Sequence, residues 1–368
     1  MTYLDFGATS FRKPPQVEAA VRRALARCAN PGRGGYTAAR EAAKEVYECR
    51  EQAGKLFGCQ PEQVVFTSNC THGLNIAIRS LVKPGSRVVI SGFEHNAVSR
   101  PLHGLGADTT VAGRKLFDWE DTLSRFEDAL KGAQAAVFTH VSNVFGYILP
   151  VEQMAALCRD RRIPFIIDAA QSAGSMPISL EKLGADFIAM PGHKGLLGPQ
   201  GTGLLLCGGG AEPLLRGGTG SDSIRQDMPE YLPDRLEAGT LNVPGIAGLG
   251  AGLRYLQRMG VETIGKREQH QAKRCAEDLK KMGLRVFSGA HQGGTVSFLP
   301  VGDCEEAAEA LARRGIAVRA GLHCAPLAHE SAGTLETGTV RVSFGWDARD
   351  EQRRALMEAL SKGKGRKT

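Results

Sequence analysis

The chain holds nine cysteines (Cys28, Cys49, Cys59, Cys70, Cys158, Cys207, Cys275, Cys304 and Cys324), yet no two of them form a C-x-x-C pair. That absence argues against a zinc ribbon or a dithiol redox motif. A chain of 368 residues also needs no disulfide framework to build a core, so an odd, scattered set of thiols fits a reducing cytoplasm. Aromatic residues are scarce, at 6%. No basic run is interleaved with them, which argues against a nucleic-acid face. The net charge of +7 includes four positive charges in the last eight residues, "SKGKGRKT", which read as a solvated end. No apolar run approaches the about 18 residues of a membrane span, and the opening "MTYLDFGATS" lacks a signal core. A cytoplasmic chain with neither membrane nor nucleic acid as partner is expected.

What the chain does have is glycine, 46 residues, and an ordinary hydrophobic content of 42%. Short continuous apolar runs alternate with helix-like stretches: "VVFT" (64–67), "RVVIS" (87–91), "AAVFTH" (135–140), "IPFIID" (163–168), "DFIAM" (186–190) and "GTGLLLC" (201–207). Runs of that kind, separated by helices, describe an α/β fold with a mainly parallel sheet covered on both faces. Ligands of such sheets sit at the C-terminal ends of the strands. After "GTLNVPGIAGLGAG" (239–252) the pattern changes to long charged helices and short strands. We therefore expect a large domain over 15–250 and a smaller α+β domain made of 1–14 and 251–368.

Several motifs compete for function. "GVETIGKR" (260–267) has phosphate-loop spacing, but Arg267 stands where a magnesium-binding hydroxyl is needed and no strand precedes it, so it reads as surface helix. His323, Cys324 and His329 fit no common zinc spacing, and no metal is expected. "PGHKGLLGPQG" (191–201) places Lys194 between an apolar run and a Gly-rich loop. It is either an ordinary loop lysine or a Schiff-base lysine whose small neighbours admit a flat ring. Asp168 ends an earlier strand and either caps the next helix or pairs with a protonated pyridine nitrogen, as pyridoxal phosphate requires. Gln171 could then donate to that ring's phenolate oxygen. Thr71, in "TSNCTHGLN" (67–75), lies near a helix start suited to a phosphate. His95, in "EHNAV", could stack on the ring. Cys324, in "RAGLHCAP", remains a core thiol, a ligand or a nucleophile on these grounds alone.

The ordered set TSNCT, EHNAV, SNVFG, DAAQS, GHKGLLGPQG, EAGTLN, RAGLHCAP and TVRVSFG resembles the class V aminotransferase-like enzymes of fold type I. Within that group it is most similar to cysteine desulfurases and selenocysteine lyases with the short R-x-G-x-H-C-A loop. The resemblance runs from Tyr3 to about Arg349. It implies a PLP-dependent transferase fold, with a large domain carrying a mixed, mainly parallel sheet and a smaller C-terminal α+β domain. Lys194 would be the Schiff-base lysine, with Asp168, Gln171 and His95 around the ring and Thr71 and His193 at the phosphate. Thr240 would reach the phosphate of a partner subunit, which implies a homodimer. Arg341 would grip the substrate carboxylate, Asn143 would line the pocket and Arg33 would stand near the entrance. Cys324 would take sulfur from L-cysteine, with Arg319 and His323 favouring the thiolate, and pass it to an acceptor protein or small thiol. Selenocysteine is the alternative substrate, and a non-catalytic cofactor-binding scaffold is a further one. The sequence departs from the family pattern at Pro191 and Cys70, near the phosphate, and at Phe6 and Gly7, where an Asn-Ala pair is usual.

Overall fold

The computed structural model describes residues 1–32 and 34–364. In chain order the elements are β1 (Thr2–Tyr3), α1 (Pro15–Arg27), α2 (Thr37–Phe57), β2 (Val64–Thr67), α3 (Cys70–Leu81), β3 (Arg87–Ser91), α4 (Asn96–Gly104), β4 (Asp108–Ala112), α5 (Trp119–Ala129), β5 (Ala135–Thr139), α6 (Val151–Arg161), β6 (Phe165–Asp168), α7 (Leu180–Leu183), β7 (Phe187–Pro191) and β8 (Gly203–Cys207). They continue with α8 (Val243–Met259), α9 (Val261–Lys281), β9 (Arg285–Phe287), β10 (Thr295–Leu299), α10 (Cys304–Arg313), β11 (Ile316–Ala317), β12 (Arg319–Gly321), α11 (Pro326–Ala332), β13 (Thr339–Ser343) and α12 (Asp350–Lys364).

The apolar runs become a seven-stranded sheet in the order β2-β8-β7-β6-β5-β3-β4. All neighbours pair in parallel except β8, which lies antiparallel to both β2 and β7. The continuous apolar character of these strands follows from burial on both faces. Phe138, Ile167, Met190 and Leu204 point into one core, while Val137, Ile166, Ala189 and Leu205 point into the other. Successive strand residues face opposite sides, so each strand must be apolar throughout. Burial of one such side chain contributes about 1.5–3 kcal/mol. The active edge of this sheet therefore rests on a rigid, fully covered platform.

A second, smaller unit is built on the four-stranded antiparallel sheet β12-β13-β10-β9, beside the short parallel pair β1-β11. Its core joins Leu4 with Ala272, Cys275, Phe298, Leu311, Val342 and Leu356, so the N-terminal segment packs with the C-terminal one. The 250/251 boundary expected from composition falls inside α8, whose Ile246, Leu249, Leu253 and Leu256 belong to the large core. The glycine-rich stretch marks the start of that helix, and the packing changes only along α9. The segment 260–267 is the beginning of α9 after its Gly260 cap, a helical surface as expected. Among the described residues, no helix is long and apolar enough to cross a membrane.

Candidate active site

The C-terminal ends of β2, β3, β5, β6 and β7 and the loops that follow them converge, with the small sheet, on a cavity of about 240 Å³. Thr71, His95, Asn143, Asp168, Gln171, His193, Lys194, Cys324 and Arg341 all line it. Lys194 follows β7, and among the described residues its amine has no hydrogen-bond partner. Burial, with Arg341 nearby, lowers its pKa and favours the neutral amine. Asp168 ends β6 and is 2% exposed. Its Oδ1 accepts the Ala170 N–H at 2.9 Å and the Cys70 thiol at 3.4 Å. Its second oxygen accepts no hydrogen bond among the described residues. Cys70 therefore serves the carboxylate. Burial, reinforced by Asp168, keeps the Cys70 thiol protonated, with its pKa well above the ordinary value.

The helix start at α3 is built for an anion. Asn69 caps it by accepting the His72 N–H at 2.9 Å. The N–H groups of Cys70 and Thr71 are left without an acceptor among the described residues, and the Thr71 side chain is exposed. His95 caps α4 through Nδ1, which accepts the Ala97 N–H at 3.0 Å, so a neutral ring carries its proton on Nε2. Burial lowers the pKa of His95. The Nδ1 of His193 lies 3.0 Å from Thr9 Oγ1, and the pKa of its ring is lowered to about 4 by burial and by Lys194 and Lys13. Gln171 donates from Nε2 to the Gly7 carbonyl at 3.0 Å.

The small sheet supplies the opposite wall. Arg341 stands on β13 and is 1% exposed. It donates to the Asn143 carbonyl at 2.9 Å and forms an ion pair with Asp5 at 2.6 Å, while its Nε has no partner among the described residues. Asn143 donates from Nδ2 to the His323 carbonyl at 2.8 Å, and its Oδ1 is a buried acceptor without a partner among the described residues. Cys324 is exposed, and its carbonyl accepts the Asn96 N–H at 2.8 Å. His323 and Cys324 both adopt left-handed backbone, with φ of 51° and 56°.

His323 does not supply positive charge to Cys324: burial, with Arg341 beside it, lowers its pKa to about 2. Arg319, which lines the cavity with Arg341, is a cation of that wall. Thr240 is exposed and does not line this chain's cavity. Arg33 lies outside the described residues. Of the two N-terminal departures only Gly7 reaches this cavity; Phe6 lines a smaller one behind Lys194. Asp5 was missed, because its partner is 336 residues away in the chain and nothing local in "YLDFG" reveals an ion pair. The signal for His329 was present, but only as a failed zinc spacing; among the described residues, no cluster suited to a metal ion exists.

The donor set fits pyridoxal phosphate: free helix N–H groups for a phosphate, a buried carboxylate with an open oxygen for a ring nitrogen, and an unbonded amine for an aldehyde. The fold and this site define a class of enzyme that holds a pyridoxal cofactor at the strand ends of an α/β sheet. The chain matches the model for "Aminotransferase class-V" over residues 2–356 and belongs to that family. It is 33% identical to a probable cysteine desulfurase of Methanothermobacter thermautotrophicus, over 97% of this chain and 93% of that protein. It is 32% identical to one of Pyrococcus abyssi, over 93% and 89% respectively. Among solved structures it is similar to the apo cysteine desulfurase of Thermococcus onnurineus, with a TM-score of 0.89 and 31% identity, covering 98% of this chain and 94% of that one.

Proposed function

We propose that this chain is a pyridoxal phosphate-dependent cysteine desulfurase, converting L-cysteine and the Cys324 thiol into L-alanine and a Cys324 persulfide. One observation carries the reading: an exposed cysteine on a fixed left-handed turn shares a single cavity with a half-buried lysine whose amine is unbonded among the described residues, a buried aspartate and a buried arginine. Bound there, the cofactor would supply an electron sink for the carbon atoms of an amino acid joined to it. Thr71 and the N–H groups of α3 would hold its phosphate, together with His193. Asp168 would hold its ring nitrogen, and His95 would lie against the ring.

The remaining work belongs to the chain's own groups. Arg341 binds the substrate carboxylate through the guanidinium N–H groups that Asn143 and Asp5 leave free, and Asn143, whose Oδ1 has no partner among the described residues, lines the same cavity. Lys194, whose pKa burial lowers, takes the proton from the substrate Cα at Nζ and returns it. The thiolate of Cys324 takes the sulfur, forming an S–S bond as the substrate's Cβ–S bond breaks, and a proton on Cβ completes alanine. Arg319 places positive charge in the wall that carries Cys324. The sulfur then leaves to an acceptor protein or small thiol.

A second copy of the chain completes the enzyme. Thr240 is exposed. It reaches the phosphate of the partner's cofactor, in a homodimer.

The deciding experiment compares the holoenzyme with Cys324→Ala, using cysteine, selenocysteine and cysteine sulfinate. Wild type should release alanine from cysteine and, with limited substrate and no reductant, carry one persulfide on Cys324 by mass spectrometry. Cys324→Ala should bind cofactor normally and release no alanine from cysteine. A persulfide on another cysteine, with full alanine release by the variant, would exclude the role.

A further inference from the structure

We propose that His329 and Thr334 are positioning residues for Cys324: they lock the His323 ring as a hydrogen-bonded strut that holds the left-handed turn presenting the thiol. This rests on the reading of Cys324 as the sulfur acceptor. Two consecutive non-glycine residues in left-handed conformation cost about 1–2 kcal/mol each and persist only where their surroundings over-determine them. Three bonds tie down the backbone carbonyls of the turn. The Ala325 N–H donates to the Leu322 carbonyl at 2.9 Å and the Asn96 N–H to that of Cys324 at 2.8 Å. Asn143 Nδ2 donates to that of His323 at 2.8 Å. None of these fixes the His323 side chain, which is 5% exposed.

The ring is fixed from the other direction. His323 Nε2 lies 3.3 Å from the Arg319 carbonyl. A carbonyl only accepts, so Nε2 carries the proton and Nδ1 is left as an acceptor. That Nδ1 lies 3.4 Å from His329 Nε2, which must then donate. His329 Nδ1 is in turn an acceptor, 2.8 Å from Thr334 Oγ1, whose hydroxyl supplies the proton. The chain of donors runs one way, from Thr334 through His329 and His323 to Arg319, and bridges residues 319–334 across the cysteine turn. The two rings are nearly parallel, at 9° with centroids 5.7 Å apart, and His329 and Thr334 are 0% and 1% exposed. Burial holds both rings uncharged, lowering His329 to about 4 and His323 to about 2. With both nitrogens committed, His323 has no lone pair to accept the Cys324 proton. Its part is structural support of the thiol, and the ring behind it sets how firmly.

The test uses the holoenzyme and four variants, Thr334→Val, Thr334→Ser, His329→Leu and His329→Gln, beside Cys324→Ala. The readouts are kcat and KM for alanine release from cysteine, the rate of iodoacetamide alkylation of Cys324 located by peptide mass spectrometry, and the cofactor absorbance. Misplacing a reacting group by a fraction of an ångström costs on the order of tenfold or more. Thr334→Val and His329→Leu should therefore lose about tenfold or more in kcat with KM within about twofold, change the alkylation rate at least about threefold, and keep the cofactor band. Thr334→Ser and His329→Gln, which can restore the donor chain, should stay within about twofold of wild type. Wild-type kcat and alkylation in Thr334→Val and His329→Leu, with Cys324→Ala inactive, overturn the strut and leave the sulfur-acceptor reading standing. If Cys324→Ala still releases alanine, that reading falls, and alkylation alone judges the strut: unchanged rates overturn it. Should His329→Leu not fold, Thr334→Val and its serine counterpart decide.

Discussion

At the scale of single residues, the site turns on contacts that leave no slack. A Cβ added to Gly7 would lie 3.0 Å from Cζ of Arg341 and 3.2 Å from both of its terminal nitrogens. The guanidinium is held at its back by Asp5 and Asn143, so it cannot retreat without breaking a bond. Gly7→Ala is thus expected to tilt Arg341 and to raise KM for cysteine about tenfold, with kcat within about twofold, as loss of one charge-assisted contact would. Steady-state kinetics checks this, and an unchanged KM would show that Arg341 does not read the carboxylate. The family pattern's alanine at this position does not fit beside the arginine as it stands here. Asp168 was legible in the sequence because it closes an apolar run, and Lys194 because it stands between an apolar run and a Gly-rich loop; strand ends are where such sheets present chemistry. The charge state of His323 was not, since burial by residues distant in the chain decides it. The same holds for the Asp5–Arg341 pair.

At the scale of elements, one buried ion pair fixes the segment that leads to Thr240. Arg50 of α2 donates to the Val64 carbonyl and to Glu237 and lies 4.4 Å from the centroid of the Phe66 ring. Glu237 also accepts the Phe66 N–H at 2.6 Å. Helix α2, strand β2 and the chain before α8 are clamped at one point, with Arg50 7% and Glu237 8% exposed. Breaking a buried pair from one side leaves an uncompensated charge and costs about 3–5 kcal/mol. Glu237→Ala should lose stability on that scale by denaturant unfolding. It should also weaken the proposed self-association more than a surface change on α12 would, because Thr240 lies three residues further on. A variant as stable and as associated as wild type would remove the clamp from the argument. The strands of the large sheet were legible as elements because burial on both faces demands uninterrupted apolar runs. The extent of α8 was not, because its glycines, which read locally as a break, are sites of close packing. Gly252, for example, sits so near the Leu196 carbonyl that a Cβ would approach it to 2.4 Å.

At the scale of the whole molecule, the fold stores many histidines in a neutral state. His72, His95, His140, His193, His323 and His329 are all held below their ordinary pKa, with burial the largest cause in each. For His140, His193 and His329 the values fall to about 4. The unfolded chain protonates these rings near pH 6.5, whereas the folded one resists until far lower. Between those limits the unfolded state binds more protons, so stability rises with pH and is lost as pH falls from about 6.5 toward 4. Glu94 and Glu268 act in the opposite sense, since burial raises both to about 8 and the folded chain keeps protons that the unfolded one has released. Glu237 and Asp347, which burial also raises, act in that same sense, but in the acid window six rings outnumber these four carboxyls, and the net slope keeps the sign of the histidines. The Tm of the cofactor-free chain is therefore expected to fall steadily from about pH 6.5 to pH 4.5. His140 isolates the effect, being 6% exposed with an Nδ1 that has no hydrogen-bond partner among the described residues. His140→Phe removes one proton uptake on unfolding and should flatten that limb. Calorimetry on both chains across the window decides it: a flat wild-type profile, or an equally steep one in His140→Phe, would mean that burial of neutral imidazoles does not govern the acid stability of this enzyme.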